Sequence, residues 1–314
     1  MSSKGYYQSL VNNIVKEIKK IYVGKEHLIK LTVATLMAGG HVLIQGYPGT
    51  GKTLLAKALA KVIGGSYKRV QGHPDILPSD ILGFHIHRID GSKELVRGPV
   101  FSNILLFDEI NRAPTRSQSA LLEAMEEHQV TIDGIEYKLQ EPFMVIATQV
   151  PVKLALGASV LLETLADRFW IVLDSYYNPP EEEVEILMRS DFIRKLPVNQ
   201  VCSAEDVIKF GEVIPELVYL DKSVAEYVVR ILADLRKHPA VLFGPSHRAM
   251  VHFVRIGRVL ALMEGRDYII PDDIKELAAP ILSHRIWLKE EYEARGITPR
   301  DLISDVLLKT PVPK

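Results

Sequence analysis

Residues 46–53 read GYPGTGKT and constrain the fold more than any other feature of this 314-residue chain. They follow a short apolar run at 41–45 and precede residues 53–63, whose apolar residues have helical spacing. The pattern is G-x-x-x-x-G-K-[ST], in which glycines let a loop wrap tightly and aim its N–H groups at phosphate oxygens. The helix amino terminus adds a partial positive charge. We therefore predict an α/β fold with a phosphate-binding loop between a strand and a helix.

The residue types in this loop assign a role to each position. The amine of Lys52 is expected to reach the β- and γ-phosphates, and the hydroxyl of Thr53 is expected to bind Mg²⁺. A phosphate-bearing ligand together with Mg²⁺ is therefore predicted for this loop. The loop residues that we predict to bind the nucleotide are Gly46, Pro48, Gly49, Thr50, Gly51, Lys52, Thr53 and Leu54.

Two adjacent carboxylates follow the apolar run at 104–107. Carboxylates at the end of a buried strand are costly unless they serve a cation. We predict that Asp108 holds Mg²⁺ through its water shell and that Glu109, on the alternate side of the strand, activates an attacking water. Together with the phosphate loop, these two carboxylates are thus predicted to be catalytic.

Strand and helix patterns alternate as far as residue 178, which predicts a parallel sheet. Apolar runs at 104–107, 143–147 and 170–173 are the further expected strands, and helices are expected at 7–20, 27–38, 53–63 and 117–128. From Glu181 onward the patterns are helical. We predict three parts: an α/β domain at 1–178, a hinge at 179–220 and a helical domain at 221–314.

Two Asp-Gly pairs interrupt alternating sequence, at Asp90-Gly91 and at Asp133-Gly134. This dipeptide tolerates positive φ at both central positions of a tight turn. Both segments are therefore predicted to be β-hairpins.

Composition excludes several classes of protein. Lys and Arg number 38 against 39 Asp and Glu, so the global cationic excess that favours nucleic-acid binding is missing. A single cysteine, Cys202, excludes an internal disulfide and a cysteine-rich metal site. No apolar run approaches the ~20 residues of a membrane span, and the first residues lack an apolar leader. We expect a cytoplasmic protein that contacts neither membrane nor nucleic acid.

The combination of the phosphate loop with the Asp108-Glu109 strand resembles an AAA+ ATPase, and longer runs resemble the MoxR family. These runs are DEINRAP at 108–114, QSALLEAM at 118–125, LPSD at 77–80, RGPVF at 97–101, VTIDG at 130–134 and ATQ at 147–149. The resemblance implies a P-loop core with a parallel sheet and a smaller all-α lid. It also implies a homo-oligomeric, usually hexameric ring that remodels or matures partner complexes as a chaperone, often with a von Willebrand A domain protein. The client stays unknown.

The resemblance also carries site residues. Val23 and Gly24 match the segment that lies against adenine. Arg248 matches the lid's sensor-2 arginine, which implies a contact with the γ-phosphate of the same subunit. Arg168 matches the arginine finger that reaches the neighbouring subunit's nucleotide, and Arg112 is its rival. The two hairpins match elements that face the central pore of related rings, although ordinary surface hairpins remain an alternative.

The sequence departs from the family pattern at position 150 and at 153–160, where the family's Pro-Leu-Pro-Glu pattern is not visible. The family continues Ala-Thr-Gln-Asn-Pro, and the asparagine of its sensor-1 position is replaced here by Val150. An amide there helps to orient the attacking water or the γ-phosphate, and valine has no polar atom. We expect ATP binding with slowed hydrolysis. Three functions follow as alternatives: an ATP-driven chaperone, a nucleotide-switched assembly scaffold with weak hydrolysis, and a DNA-associated motor, which the near-zero net charge disfavours.

Overall fold

The structure is a computed structural model that describes residues 3–150, 161–193 and 197–313. Its first part alternates helices and strands. The elements up to residue 108 are α1 (Ser3–Lys19), α2 (Glu26–Met37), β1 (Val42–Gly46), α3 (Lys52–Val62), β2 (Tyr67–Gln71), α4 (Pro78–Leu82), β3 (Gly83–His87), β4 (Lys93–Arg97) and β5 (Ile104–Asp108).

The α/β part continues to residue 175. Its remaining elements are α5 (Thr115–Ser119), α6 (Leu121–Glu127), β6 (Gln129–Ile132), β7 (Ile135–Lys138), β8 (Met144–Gln149), α7 (Glu163–Ala166) and β9 (Ile171–Ser175). The single helix expected at 117–128 is divided into α5 and α6. The sequence 153–160, which departs from the family pattern, lies outside the described residues.

Five strands form one parallel sheet in the order β2-β5-β8-β1-β9. Alternate residues of the strands point to opposite faces, and both faces are buried. Val42 and Ile44 belong to a cluster with the helices α1 to α3, whereas Leu43 packs on the other side with Phe107 and the α6 helix. The predicted parallel α/β sheet is confirmed.

The edge strand β2 was absent from our prediction. It reads YKRVQ, and three of its five residues are exposed. An edge strand has only one neighbour and keeps polar side chains, so it lacks the apolar run that marks the central strands.

The two hairpins differ in their turns. At the β6–β7 turn Asp133 and Gly134 both have positive φ, 49° and 78°, as the prediction requires. At the β3–β4 turn only Gly91 does, and the loop has five residues, 88–92. Here the Asp90 side chain accepts the N–H of Ser92 at 2.9 Å, which stabilises a wider loop than the tight turn we expected.

The hairpins contact each other through His85. Its Nδ1 lies 2.8 Å from Asp133 Oδ2 and its Nε2 lies 2.8 Å from the hydroxyl of Tyr137. Both ring nitrogens therefore have partners, and His85 links the two hairpins.

The carboxyl-terminal part is mostly helical. Its elements are α8 (Pro180–Ile193), α9 (Ala204–Leu217), α10 (Lys222–Lys237), β10 (Val241–Phe243), α11 (His247–Met263), α12 (Pro271–Leu282), β11 (Trp287–Leu288), α13 (Glu290–Glu293) and α14 (Pro299–Lys309). The predicted helical lid is confirmed. It also contains a short antiparallel ribbon of β10 and β11, which we did not predict because two- and three-residue strands leave no periodic signal. The predicted hinge contains α8 and α9.

The lid packs against the α/β part through one continuous apolar cluster. Ile14 and Ile18 of α1 share this cluster with Phe253 and Ile256 of α11. Among the described residues, no helix is both long and apolar enough to cross a membrane.

Candidate nucleotide site

The phosphate loop connects β1 to α3 at the carboxyl edge of the sheet. Gly51 caps α3 with φ of 87°, and a Cβ there would lie 2.9 Å from the ring of Tyr22. Only glycine adopts this backbone and tolerates this approach without strain. The loop therefore has its glycine where the fold requires one.

Two cavities meet at the loop. The first, the phosphate cavity, is about 170 Å³ and is lined by Pro48, Gly49, Thr50, Gly51, Lys52, Thr53, Asp108, Glu109, Thr148 and Val150. The second, the base cavity, is about 220 Å³ and is lined by Ile21, Tyr22, Val23, Gly49, Thr50, Gly51, Leu54, Tyr177, Asn178, Glu183 and Ile186. Because both share residues 49–51, they form one groove for a base and a phosphate chain.

Lys52 is folded over the loop. Its Nζ donates to the carbonyl oxygen of Tyr47 at 2.5 Å and lies 3.2 Å from Thr50 Oγ1. Burial outweighs the attraction of Asp108 and Glu109, so the pKa of Lys52 lies below its ordinary value. A phosphate would replace these contacts and restore a full counter-charge.

Three side chains hold Thr50. Tyr22 and Lys25 belong to the segment 22–25 that resembles the one against adenine, whereas the sequence analysis did not assign Ser175 to the site. The carbonyl oxygen of Thr50 accepts from the hydroxyl of Tyr22 at 2.9 Å and from Nζ of Lys25 at 3.4 Å. Ser175, at the end of β9, donates to Thr50 Oγ1 at 2.9 Å. Burial, together with the charge of Lys52, lowers the pKa of Lys25 to about 8.

Asp108 ends β5 with both oxygens engaged. Oδ1 accepts from the hydroxyl of Thr148 at 2.6 Å, and Oδ2 accepts from Arg69 at 2.6 Å. The same Thr148 oxygen accepts the N–H of Glu109 at 2.7 Å. Thr148 therefore fixes the two carboxylate residues relative to each other, a role that the sequence analysis did not assign to it.

Glu109 has a left-handed backbone, with φ of 55°. Its carboxylate pairs with Nε of Arg112 at 2.8 Å. Arg112, the rival arginine finger, thus lies beside the carboxylate of its own chain.

Val150 lines the phosphate cavity with an apolar side chain. Its carbonyl oxygen accepts from Asn111 at 3.2 Å. The residue therefore stands next to the carboxylates, as its place in the family pattern implied.

The donor set of the phosphate cavity fits magnesium. Mg²⁺ prefers oxygen ligands and commonly uses one or two protein groups together with phosphate oxygens and waters. Thr53 and Asp108 supply a hydroxyl and a carboxylate to the same cavity. These are the two residues predicted for this role.

The base cavity is closed by the chain before α2 and by the chain after β9. Asn178 donates to the carbonyl oxygen of Val23 at 3.2 Å and to Glu182 at 2.8 Å. Gly24 has φ of 69°, and a Cβ there would lie 1.9 Å from Glu182 Oε2. The backbone of Val23 and Gly24 is therefore packed against the segment that begins α8.

Arg168 and Arg248 lie together at the other edge of the sheet. Glu126 Oε2 is 3.5 Å from Arg168 Nε and 3.2 Å from Arg248 Nη2. Arg248 also pairs with Asp167 at 3.2 Å. Asp167 precedes β9, and Trp170 donates its N–H to the carbonyl oxygen of His41 at the start of β1, which places the pair at the amino edge.

The expected contact of Arg248 with the γ-phosphate of the same subunit stays a prediction. Five-residue strands separate the two edges by about 13 Å. Arg248 lines cavities with Arg168 and not the phosphate cavity of its own chain. The docked lid thus places Arg248 at the amino edge, away from the phosphate cavity of its own chain.

Arg285 attaches the lid at this edge. It is 1% exposed and donates from Nε to Asp167 Oδ1 at 2.8 Å and from Nη2 to the carbonyl oxygen of Phe169 at 2.7 Å. Burial raises the pKa of Asp167, but the charge of Arg285 outweighs it and the pKa lies below its ordinary value. Asp167 is thus an ionised carboxylate that pairs with both Arg285 and Arg248.

The Gly-rich loop, the parallel sheet with β8 between β1 and β5, and the helical lid define an AAA ATPase. The profile of the ATPase family associated with various cellular activities (AAA) matches residues 41–171, and that of the AAA lid domain matches residues 233–306.

Full-length relatives narrow the class. Chaperone MoxR1 of Mycobacterium tuberculosis is 38% identical over 95% of this chain and 81% of its own length. Protein YeaC of Bacillus subtilis is 39% identical over 97% of this chain and 95% of its own. A solved structure from Cytophaga hutchinsonii has a TM-score of 0.90 and 36% identity, covering 99% of this chain and 97% of that one. The chain belongs to the MoxR family of AAA ATPases.

Proposed function

We propose that this protein binds ATP with Mg²⁺ and hydrolyses it, as a ring, to remodel or mature partner protein complexes. The observation that carries the proposal is the phosphate cavity, in which Lys52, Thr53, Asp108 and Glu109 face one space. Membership of an ATPase family supports the reaction. The likeness to Chaperone MoxR1 supports the chaperone role.

The residues divide the work of phosphoryl transfer. The loop N–H groups and Lys52 hold the phosphates, and Glu109 accepts a proton from the attacking water. Thr53 and Asp108 would hold magnesium, the latter through water. When bound, the metal ion supplies positive charge against the terminal phosphate oxygens.

Arg168 and Arg248 complete the site of a neighbouring subunit in this proposal. Both lie at the edge of the sheet opposite to their own phosphate loop, and their charges are held by Glu126 and Asp167. Arginine matches phosphate oxygens with a rigid fork and keeps its charge. A homo-oligomeric ring, hexameric as in related rings, supplies each nucleotide with such a partner.

Val150 favours a second candidate, a nucleotide-switched scaffold. Its side chain has no polar atom that could orient a water molecule in the phosphate cavity. Loss of one positioning donor costs on the order of 10²–10³ in rate. We therefore propose slow hydrolysis, so that the bound state can persist and set the state of assembly.

The client side is proposed from the hairpins. Ile89, at the tip of the β3–β4 loop, is fully exposed. We expect this apolar tip to contact the client, with a von Willebrand A domain protein as the adaptor. The charge balance gives no support to a DNA-associated motor.

The test compares the native chain with Glu109→Gln. The native protein is expected to release phosphate from ATP in the presence of Mg²⁺, and Glu109→Gln to bind ATP without turnover. The variant loaded with ATP should then retain a protein complex that Lys52→Ala does not retain. Equal turnover of native protein and Glu109→Gln would refute the assignment of the base.

A further inference from the structure

Arg69 binds a carboxylate that the metal ion also requires. It lies on the edge strand β2, and its Nη2 donates to Asp108 Oδ2 at 2.6 Å. The side chain of Arg69 is 45% exposed, whereas that of Asp108 is 16% exposed. The guanidinium therefore approaches the carboxylate from the solvent side. Asp108 is the residue that would hold magnesium, so a cation of the chain and the metal ion need the same carboxylate.

The ends of β2 and β5 are fixed against each other. Gln71 is the parallel partner of Asp108, and the N–H of Gly72 donates to the carbonyl oxygen of Asp108 at 2.7 Å. A Cβ on Gly72 would lie 2.1 Å from the carbonyl oxygen of Glu109, so the two backbones are in close contact here. Any exchange of partners at Asp108 is therefore a movement of side chains and not of strands.

The face of β2 that carries Arg69 offers other acceptors. Alternate residues of a strand share a face, so Tyr67 and Gln71 flank Arg69 there. Gln71 Oε1 already accepts from Arg69 Nη2. The buried hydroxyl of Tyr67 has no hydrogen-bond partner in the part of the chain that the structure describes. Arg69 therefore keeps its bond to Gln71 when it leaves Asp108, and the Tyr67 hydroxyl is a further acceptor on the same strand.

The neighbouring carboxylate is paired in the same way. Glu109 lies 2.8 Å from Arg112, whose side chain is 49% exposed. Two adjacent carboxylates each disfavour the ionised form of the other, and a cation next to each one removes that cost. Lys52, which lines the same cavity, donates to the carbonyl oxygen of Tyr47 instead. Arg69 and Arg112 thus supply the counter-charge that the two carboxylates need.

We propose that Arg69 competes with Mg²⁺ for Asp108 and releases Oδ2 when the metal ion and the nucleotide bind. A metal-bound water has to donate to the oxygen at which Arg69 donates, and the guanidinium charge repels the ion. Arg69 then stays with Gln71, while Thr148 keeps Oδ1 in place. Arg69 therefore weakens the metal site of the resting chain. This rests on the proposed function, since it takes Mg²⁺ with ATP as the ligand.

The test measures metal binding and not turnover. Mn²⁺ is the probe in place of Mg²⁺, because the electron paramagnetic resonance signal of the free ion is lost on binding. It is titrated into protein that is in excess over a non-hydrolysable ATP analogue. Arg69→Gln is expected to lower the dissociation constant for Mn²⁺ about tenfold, the lower end of what one cation does to a carboxylate, since the pair is partly exposed. Arg69→Lys keeps the charge and should stay close to the native chain.

The matched control is Lys68→Gln. Lys68 precedes Arg69 on β2, is exposed and points to the opposite face, so the change removes the same charge from the same strand. Its affinity for Mn²⁺ should equal that of the native chain. An equal gain in Lys68→Gln would assign the effect to net charge and overturn the competition. Unchanged affinity in Arg69→Gln would overturn it too, and weaker affinity there would make Arg69 a residue that positions Asp108 instead.

A second variant keeps the test decisive if Arg69→Gln does not fold. Gln71→Ala removes the acceptor that retains Arg69, so it should hold Arg69 on Asp108 and raise the dissociation constant for Mn²⁺ about threefold or more, the usual worth of one hydrogen bond. A gain or no change would contradict the proposal.

The same titration separates this proposal from the proposed function. A native chain that does not bind the ATP analogue would refute the proposed function. A native chain that binds the analogue, with the same affinity for Mn²⁺ as Arg69→Gln, would refute the role of Arg69 alone.

Discussion

The phosphate-loop side and the arginine side of this molecule are built in different ways. Residues 46–53 form the loop in one continuous stretch, and its helix begins at Lys52. The arginine side joins Glu126 of α6, Asp167 and Arg168 after α7, and Arg248 of the lid. The first is local in sequence, whereas the second joins distant segments of the α/β part to the docked lid.

This difference indicates which side of the molecule can regulate ATP hydrolysis. A loop fixed by glycine geometry and by hydrogen bonds to Thr50 is ready to bind phosphate in every copy. The arginine side depends on Asp167, which Arg285 and Arg248 share. Movement of the lid or assembly of the ring would therefore alter hydrolysis more than it alters binding.

The largest effect is expected from a substitution on the arginine side. Arg168→Ala should lower turnover on the order of 10³-fold, the usual worth of an arginine finger, with little change in ATP affinity. Mixing Arg168→Ala with Glu109→Gln should restore part of the turnover, because each chain supplies what its neighbour lacks. Steady-state phosphate release by the mixture measures this. If both variants co-assemble and stay inactive, the arginine does not act between subunits.

The next largest effect is expected from a substitution in the phosphate loop. Lys52→Ala should weaken ATP affinity by up to about 100-fold, because a charge-assisted contact with phosphate is lost. Equilibrium binding of a fluorescent ATP analogue measures the change. Lys57→Ala is the matched control, since Lys57 lies on the exposed side of the same helix. Unchanged affinity in Lys52→Ala would remove the basis of the loop assignment.

A smaller effect sharpens the comparison within the phosphate cavity. Val150→Asn should raise turnover about tenfold or more, because a polar group is restored where water or the γ-phosphate is oriented. Val150→Leu keeps the position apolar and should show no gain. Single-turnover rates, which exclude product release, give the comparison. Identical rates for the native chain and Val150→Asn would discredit the departure as a cause of slow hydrolysis.

The smallest effect concerns pH at the loop. The pKa of Lys25 is lowered to about 8, and a bound nucleotide, being negative, should raise it. Binding then takes up a proton above pH 8, so ATP affinity should fall as pH rises from 8, by at most about tenfold per unit of pKa difference. Lys25→Met should remove this slope in a binding titration. The same slope in both proteins would assign it to another group.

Much of the loop side could be predicted from the sequence. The pattern at 46–53 and the carboxylates after the apolar strand fix the identity of Lys52, Thr53, Asp108 and Glu109, and the structure brings these four into one cavity. Local spacing sufficed because strand, loop and helix follow each other in the chain.

Other parts of the site could not be predicted. Thr148 contacts Asp108 and Glu109, which are 40 and 39 residues away at the end of a neighbouring strand. Ser175 contacts Thr50 across 125 residues. Such contacts depend on strand order and register. The pairing of Arg248 with Asp167 could not be predicted for the same reason, since the two residues are 81 positions apart.

The sequence by itself determined the phosphate loop, the parallel α/β core and the family, because turn geometry and apolar periodicity are local properties. Only the tertiary structure decided that the lid docks at the amino edge and that Arg168 and Arg248 face away from their own nucleotide groove. The position of the lid is set by the packing of α1 and α2 against α11 and by the buried Arg285, because these contacts join segments that are distant in sequence.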